Sequence, residues 1–358
     1  MLLGELFFIL SGSCFGRRFN FSYCIILSCL FLNSFIEFPP DSRKCFLCNQ
    51  SKSISKSFGC INENISQGRS YFQTNIHASD CFFVRMSTLS GDGGVIYVSQ
   101  NSLSMNISYS TFCNCSCSQG GGTIFFSSDN FLLKMVCANR CYNANWGHFS
   151  WNSVTRSNAV EYLSILSSSY TAFGYCPFYM RCGDQRIDNT NSSINYVVQI
   201  SGMALVSSNT FTSTHCTFSN SYSSDSRCLY FDSISGQLSF TNIVHNYSPL
   251  GGILYSYRSS LQMNFCILTM NQGTLFNADS SSIELSHCFI SHDSLLSAMN
   301  PVITSNNNSF TNFKTYNLEF YKTQFCNADY QRQTFNQGNW IPSRKIFISM
   351  LLMNNLDF

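Results

Sequence analysis

The acidic residues that could act on a substrate are few and scattered. Only 18 Asp and Glu occur among 358 residues, and their one local cluster joins Asp184 and Asp188 to Arg181 and Arg186. Cleavage of a glycosidic bond needs two converging carboxyl groups, and a calcium site needs several oxygen ligands. Exposed ion pairs are common and nearly neutral energetically. We therefore interpret the 181–188 cluster as a solvated charged loop.

Asp232 is a further acid that could lie in a cleft. Alignment of the repeats described below places it beside Ser256 and Asn277, and not beside another acid. The sequence contains no nucleophile elbow, phosphate loop or dinucleotide fingerprint. It therefore predicts no catalytic residue and no cofactor.

Cysteine and histidine are the possible metal ligands. Cys45 and Cys48, followed by Cys60 and Cys81, could be drawn as a zinc site, but the second pair lacks the close spacing of such sites. Disulfides are the favoured interpretation. The three alternate cysteines in the range 113–117 could stack inside as small apolar residues or bridge to a neighbouring coil.

Two histidines near the C-terminal end of the repeats do not suggest a metal site either. His287 and His292 are five positions apart on a predicted strand and turn, so their side chains point to opposite faces. We expect no metal in this protein.

The composition limits the possible partners. Charged residues make up 11% of the chain, against about 25% in an average globular domain, and the sequence holds 60 serines and 36 asparagines. A net charge of +2 gives no field for capturing nucleic acid. The 15% aromatic share is too high for a disordered chain.

Several features favour an extracellular or cell-surface location. Residues 21–35, after a basic pair, have the length of a signal-peptide core or short anchor, and 19 cysteines are many for a reduced compartment. No later apolar run reaches the roughly 18 residues of a membrane span. Eight sequons occur, the first at Asn20, directly before this apolar segment, and the other glycosylation candidates are Asn49, Asn64, Asn106, Asn114, Asn191, Asn246 and Asn307.

Two short elements recur along the chain. One is a glycine-led apolar segment, as in GGVIYV, GGTIFF, GGILYS and QGTLFN, whose glycines are Gly93, Gly94, Gly121, Gly122, Gly251, Gly252 and Gly273. The other places an aromatic residue two positions before asparagine, and its aromatic positions are Phe112, Phe218, Phe240 and Phe310, with Phe265 and Phe289 lacking the asparagine. From Phe218 onward these aromatic residues are separated by 21 to 25 residues.

This period predicts an all-β fold, a right-handed parallel β-helix of about ten coils. Segments such as 103–112 alternate apolar and polar residues, which is typical of strands. Glycine would serve tight turns, and the asparagines after Phe112, Phe218, Phe240 and Phe310 would occupy corners and form ladders.

The predicted domain boundaries follow from the repeats. Residues 1–35 are a signal peptide or anchor, 36–80 a cysteine-containing polar cap, 81–328 the β-helix and 329–358 a weakly patterned tail. The glycine element is lost from Asn152 to Ile200, so we expect an irregular coil or protruding loop there.

The two elements together resemble polymorphic outer-membrane-protein repeats. SFTNIVHN, MNFCILTMNQGTLF and LSHCFISH are similar to protozoan, parabasalid-type surface proteins that carry such repeats on a pectin-lyase-like right-handed β-helix. The resemblance covers about two thirds of the chain. Members typically have a transmembrane helix and short cytoplasmic tail after the β-helix, and this sequence departs from that pattern. The resemblance implies a surface or secreted, adhesive protein without established catalysis.

Two functional hypotheses remain. The first is a non-enzymatic extracellular rod whose uncharged flank, rich in Ser, Asn and Tyr, binds host surfaces or glycans, with membrane attachment only through an N-terminal anchor or a missing C-terminal one. The second is a polysaccharide lyase or hydrolase on the same scaffold, with Asp184, Asp188 or Asp232 in the cleft.

Overall fold

The computed structural model describes residues 75–88, 91–143, 145–168, 174–224, 227–291, 302–306 and 315–318. The predicted signal peptide and tail, and most of the predicted cap, lie outside the described residues. The described strands are β1 Ile76–Ser79, β2 Phe82–Val84, β3 Ile96–Ser99, β4 Ser104–Cys113, β5 Ile124–Asn139, β6 Ser150–Leu166, β7 Phe178–Arg181, β8 Asp184–Asp188, β9 Asn191–Ser193, β10 Tyr196–Val197, β11 Ile200–Val206, β12 Thr210–Thr214, β13 Thr217–Ser219, β14 Tyr222–Ser223, β15 Arg227–Asp232, β16 Ser235–Ser239, β17 Asn242–Val244, β18 Tyr247–Ser248, β19 Leu254–Tyr257, β20 Ser260–Asn264, β21 Ile267–Thr269, β22 Gln272–Gly273, β23 Phe276–Asp279, β24 Ser282–Ser286, β25 Phe289–Ser291 and β26 Val302–Asn306.

These strands form a parallel β-solenoid of about eight turns, which confirms the predicted all-β parallel β-helix. Each strand pairs in parallel with its equivalent one turn along the chain, as Leu229 does with Leu254. Ladder A contains β3, β5, β6, β7, β11, β15, β19 and β23, and ladder D contains β10, β14, β18 and β22. Ladder B runs from β1 to β26 and ladder C from β2 to β25. Strands β5 and β6 are long enough to serve ladders A, B and C.

The glycine-led segments enter ladder A, as the repeat predicts. Gly93 and Gly121 have positive φ of 65° and 59°. A Cβ on Gly94 would lie 2.0 Å from the carbonyl oxygen of Ser116, and one on Gly122 would lie 2.0 Å from that of His148. Neighbouring turns therefore approach too closely here for any side chain.

Residues other than glycine make the solenoid corners. Apart from Ser102, every described non-glycine residue with positive φ lies on one of three lines along the axis. Corner BC, between ladders B and C, comprises Asp80, Tyr109, Met135, Tyr162, Asn189, His215, Phe240, Phe265 and His287. Corner CD comprises Arg85, Asn114, Arg140, Ser167, Ile194, Asn220, His245 and Met270, and corner AB comprises Cys182, Ser207, Ser233, Arg258 and Ser280. A single left-handed residue turns the chain from one strand to the next.

The residue after each corner points inward and is usually Cys, Ser or Thr. Its side chain donates a hydrogen bond to the carbonyl just before the corner, as from Thr241 to Ser239 at 3.0 Å and from Cys216 to Thr214 at 3.2 Å. Ser259 does the same at corner AB, where it donates to Tyr257 at 2.8 Å. Each of these carbonyls also accepts a backbone N–H from the preceding turn, so the bond gives the inward side chain a partner for its own buried donor.

An asparagine ladder does form, but from other residues than those expected. Asn195, Asn246 and Asn271 follow corner CD, and the Oδ1 atoms of Asn246 and Asn271 accept bonds from the backbone N–H one turn earlier. Of the predicted positions, Asn114 and Asn220 lie on corner CD. The asparagine after Phe240 lies instead on β17, and the one after Phe310 lies outside the described residues.

The aromatic residues of the predicted repeat occupy different positions in their turns. Phe112 and Phe218 are buried in the core on ladder C. Phe240 and Phe265 are exposed on corner BC, and Phe289 lies on ladder C beside Ile267. Turns of unequal length bring unrelated phenylalanines to similar spacing, so the prediction of one equivalent position was wrong. Phe310 lies outside the described residues.

Two boundaries also change. The prediction of an irregular segment at 152–200 was wrong, because β6 to β9 continue ladders A, B and C in regular register over its described residues, 152–168 and 174–200. The solenoid begins before Cys81, since β1 already pairs with β4. Alternation of small and apolar residues maintains the coil where the glycine pair is lost.

Candidate binding surface

The outer side of ladder B carries three rows of uncharged polar side chains on β12, β16 and β20, and Glu284 on β24 then continues the middle row. Thr210, Thr212 and Thr214 on β12 are followed by Ser, Gln and Asn at the paired positions of β16 and β20. On β12 and β20 alternate residues are exposed or half-buried and those between them enter the core. On β16 Ser235 and Gln237 are exposed, whereas Ser239 is buried. The surface therefore presents hydroxyl and amide groups repeated along the axis.

A charged group interrupts these rows over the middle turns. Arg186 Nη2 lies 3.2 Å from Glu161 Oε1 and 3.8 Å from Asp188 Oδ2. Lys134 also contacts Glu161, at 3.7 Å, and His215 Nδ1 lies 3.8 Å from Asp188 Oδ1. The side chain of Arg186 is 57% exposed, so water screens these pairs and each adds little stability.

Corner BC borders these rows with a stack of rings. His215, Phe240, Phe265 and His287 lie on consecutive turns, with centroids 5.3, 5.1 and 5.0 Å apart and planes within 17°. Phe240 is 37% and Phe265 41% exposed. An apolar strip with a histidine at each end therefore lies beside neutral hydrogen-bonding rows.

Other outward stacks occur, and sequence reasoning missed them. Tyr97, Phe125, Trp151 and Tyr179 stack along ladder A at 4.5 to 5.8 Å. One sequence feature could have shown this stack: each of the four aromatic residues directly follows the first inward residue of its ladder A strand. A second stack joins Tyr196, Tyr222 and Tyr247 on ladder D. Glu161 and Lys134 were also missed, because each lies one turn away from its partner in sequence.

The acids proposed for the enzymatic hypothesis do not converge. Asp184 and Asp188 share the outer face of β8 but stand four residues apart, roughly 13 Å along a strand. Asp184 accepts a bond from Thr210 at 2.9 Å. The interpretation of this segment as a loop was wrong, because it forms β7 and β8, with the exposed Arg181 ending β7.

Asp232 lies on ladder A, away from the other two candidates. It accepts bonds from the Tyr230 hydroxyl at 3.1 Å and from Ser233 at 2.8 Å. Its neighbour one turn on is Tyr257, with Asp279 following. The predicted neighbours were wrong, Ser256 by one register position and Asn277 by two.

The candidate glycosylation asparagines differ in how deeply their side chains are buried. Asn191 and Asn246 have 0% exposure, and the Nδ2 of Asn246 donates to Phe218 and Asn271. A glycan on either side chain is incompatible with this packing, which removes both candidates in the folded protein. Asn106 and Asn114 are half-buried, and Asn49, Asn64 and Asn307 lie outside the described residues.

Ten cysteines are present as free thiols, against the disulfide interpretation for these residues. They are Cys113, Cys115, Cys117, Cys141, Cys176, Cys182, Cys216, Cys228, Cys266 and Cys288. Of the two alternatives for 113–117, Cys115 and Cys117 follow the one in which small side chains pack inside. Burial raises the pKa of the Cys216 thiol to about 12, so it remains a protonated donor and not a nucleophile.

Neither a metal centre nor a membrane helix is found in the described ranges. No group of three or more His, Cys, Asp or Glu there could hold a metal ion, and no helix there is long and apolar enough to cross a bilayer. Cys45, Cys48, Cys60 and His292 lie outside those ranges. Comparison with known families, with curated proteins and with solved structures finds no match to this chain.

Proposed function

We propose that this chain is a non-enzymatic, extracellular or cell-surface β-helical protein that adheres to neutral glycans on host surfaces. The observation that carries the proposal is the exposed stack of Phe240 and Phe265 beside the neutral rows of ladder B. Contiguous exposed apolar side chains rimmed by polar groups mark interaction sites. Few charges lie near this part of the surface, which favours an uncharged ligand.

The handedness of the β-helix and its number of coils are part of the same proposal. Parallel crossovers are right-handed in nearly all proteins, and ladder B extends from β1 to β26, which supports a right-handed helix of about ten coils. The surface-protein family with polymorphic outer-membrane-protein-like repeats remains the proposed lineage, on the resemblance of the motifs.

One observation favours a second function. Glu161 and Asp188 occupy paired positions on adjacent turns and share Arg186, so two carboxylates do approach each other near His215. This pair would replace Asp184 and Asp232 in a polysaccharide lyase or hydrolase. Release of soluble product from acidic glycans, lost in Glu161→Gln, would support it.

The test of adhesion is binding to immobilised neutral polysaccharides by the full chain. We expect the double variant Phe240→Ser, Phe265→Ser to lose binding, and Tyr222→Ser on the ladder D stack to retain it. Binding that tracks Glu161→Gln instead would support the second function.

A further inference from the structure

The outer side of ladder C is buried, unlike that of ladder B. Outward positions on β17, β21 and β25 form an apolar cluster of Val244, Ile267 and Phe289, separate from the main core. Tyr316, in the described segment 315–318, packs against this cluster. A distant piece of the chain therefore covers the face.

Asn242 on β17 holds the main chain of that segment. Its Nδ2 donates to the carbonyl oxygen of Tyr316 at 3.0 Å, and its Oδ1 accepts from the N–H of Tyr316 at 3.0 Å. The other proton on Nδ2 goes to Thr217 Oγ1 at 3.1 Å. Both donors and the acceptor of the amide are used, so its orientation is fixed. Such an amide can bind the main chain of an extended peptide, whatever the side chains of that peptide are.

The ring of Tyr316 supplies the side-chain part of the contact. Its centroid lies 6.0 Å from that of Phe240, at an interplanar angle of 68°, which is a favourable edge-to-face arrangement. Desolvation raises the pKa of its hydroxyl, consistent with a ring lodged among apolar side chains.

The same face continues toward earlier turns. Asn191 and Thr217 precede Asn242 on one register line, and Ser219 precedes Val244 on the other. Asn191 Nδ2 and Ser219 Oγ are buried without a hydrogen-bond partner. Buried polar groups are normally paired, so the earlier turns of this covered face are less completely satisfied than the turn at Asn242.

We propose that the outer face of ladder C is a peptide-binding groove, which the chain's own segment 315–318 occupies. Its ligand class is an extended peptide with an aromatic residue at the Asn242 clamp. The groove adjoins the glycan surface at Phe240, but its test changes Asn242 and Tyr316 and does not depend on glycan binding.

The test uses the full chain and a fluorescent peptide of residues 312–320, NFKTYNLEF. Tyr316→Ala weakens the resident segment, so we expect this variant to bind the peptide at least about tenfold more tightly than the wild type does. Asn242→Ala added to that variant abolishes binding, and Asn277→Ala, on the outer side of ladder A, leaves it unchanged. The peptide with alanine for tyrosine fails to bind.

Three results would overturn the proposal. The first is equal binding by the wild type and Tyr316→Ala. The second is no binding by a Tyr316→Ala variant that keeps its β circular dichroism and melting temperature. The third is a wild-type dimer whose peptide binding rises on dilution, since that would place the segment of a second copy in the groove.

Hydrogen exchange gives an independent measurement on the unlabelled chain. Asn242→Ala removes the acceptor of the Tyr316 N–H, and we expect exchange at that amide to accelerate at least about tenfold while ladder A amides are unaffected. Unchanged exchange at Tyr316 would contradict the clamp.

Discussion

The two sides of corner BC differ in what they require of the sequence. On the outside, successive turns carry Asp, Tyr, Met, Asn, His and Phe at the same left-handed position. On the inside, the next residue is Cys, Ser or Thr on seven of the nine turns, and Val136 and Leu163 are the exceptions. The backbone is shared, so the inner hydrogen bond and packing specify the corner, while the outer side chain is available for function.

The largest expected effect on stability is inside the solenoid, where the backbones of neighbouring turns approach most closely. Gly122→Ala places a methyl group against the backbone of His148 and Tyr142, and we expect a loss of about 3 kcal/mol in unfolding free energy, measured by denaturant titration. Gly120→Ala is the control, because its Cβ first meets the movable carboxylate of Asp92, at 3.0 Å. Equal losses would show that close backbone contact is not what selects glycine.

A buried histidine makes part of the stability depend on pH. His148 occupies the position of Gly94 and Gly122 one turn on, and burial lowers its pKa from 6.5 to about 3. Because the folded pKa is the lower one, this stability is complete above pH 6.5 and is lost as the pH falls toward 3. Between pH 7 and pH 5 we expect a loss of about 2 kcal/mol.

The measurement is the difference in unfolding free energy between the wild type and His148→Gly at the two pH values. The variant restores the residue of the neighbouring turns and removes the titrating group. A pH dependence identical in both proteins would contradict the assignment.

The inner hydrogen bond at corner BC has a smaller expected effect. Thr241→Val keeps the shape of the side chain but removes the donor to Ser239, and we expect a loss of about 1 kcal/mol. Thr241→Cys, the residue found at Cys216 and Cys266, should cost less. Chemical denaturation measures the unfolding free energy of both variants. Equal stability of Thr241→Val and Thr241→Cys would contradict the view that cysteine is found at these positions because it donates this hydrogen bond.

The outer charged group has the smallest expected effect on stability. Arg186→Ala removes contacts to Glu161 and Asp188, yet the exposed position limits the change to about 0.5 kcal/mol. A thermal melt at low and high salt measures it. A loss comparable to that of Gly122→Ala would mean that the outside also specifies the fold.

The period, the parallel strands and the role of glycine could be predicted from the sequence, because the glycine-led segment recurs before β3, β5, β19 and β23. The corner positions could not be predicted, since Phe240, His215 and Met135 all have positive φ but have side chains of different chemical types. Register also limited the prediction. Turns differ in length, as between Leu229 to Leu254 and Leu254 to Phe276, so equal spacing did not mark equivalent residues.

Most contacts at the candidate surfaces join residues that are far apart in the sequence. Glu161 meets Arg186 and Asn242 meets Tyr316, and only a register accurate to one residue would have shown the first. The second joins residues 74 apart, beyond anything a repeat period predicts. The ten free cysteines were misinterpreted for a related reason, because a small side chain that donates a hydrogen bond looks the same in sequence as half of a disulfide.

Adhesion through corner BC is tested most directly by equilibrium binding of the full chain to an immobilised neutral polysaccharide, compared with the double variant Phe240→Ser, Phe265→Ser. The account predicts that the wild type and Tyr222→Ser bind equally and that the double variant, still folded by circular dichroism, loses at least about tenfold in affinity. Equal binding by the wild type and the double variant, or no binding by either, would contradict it.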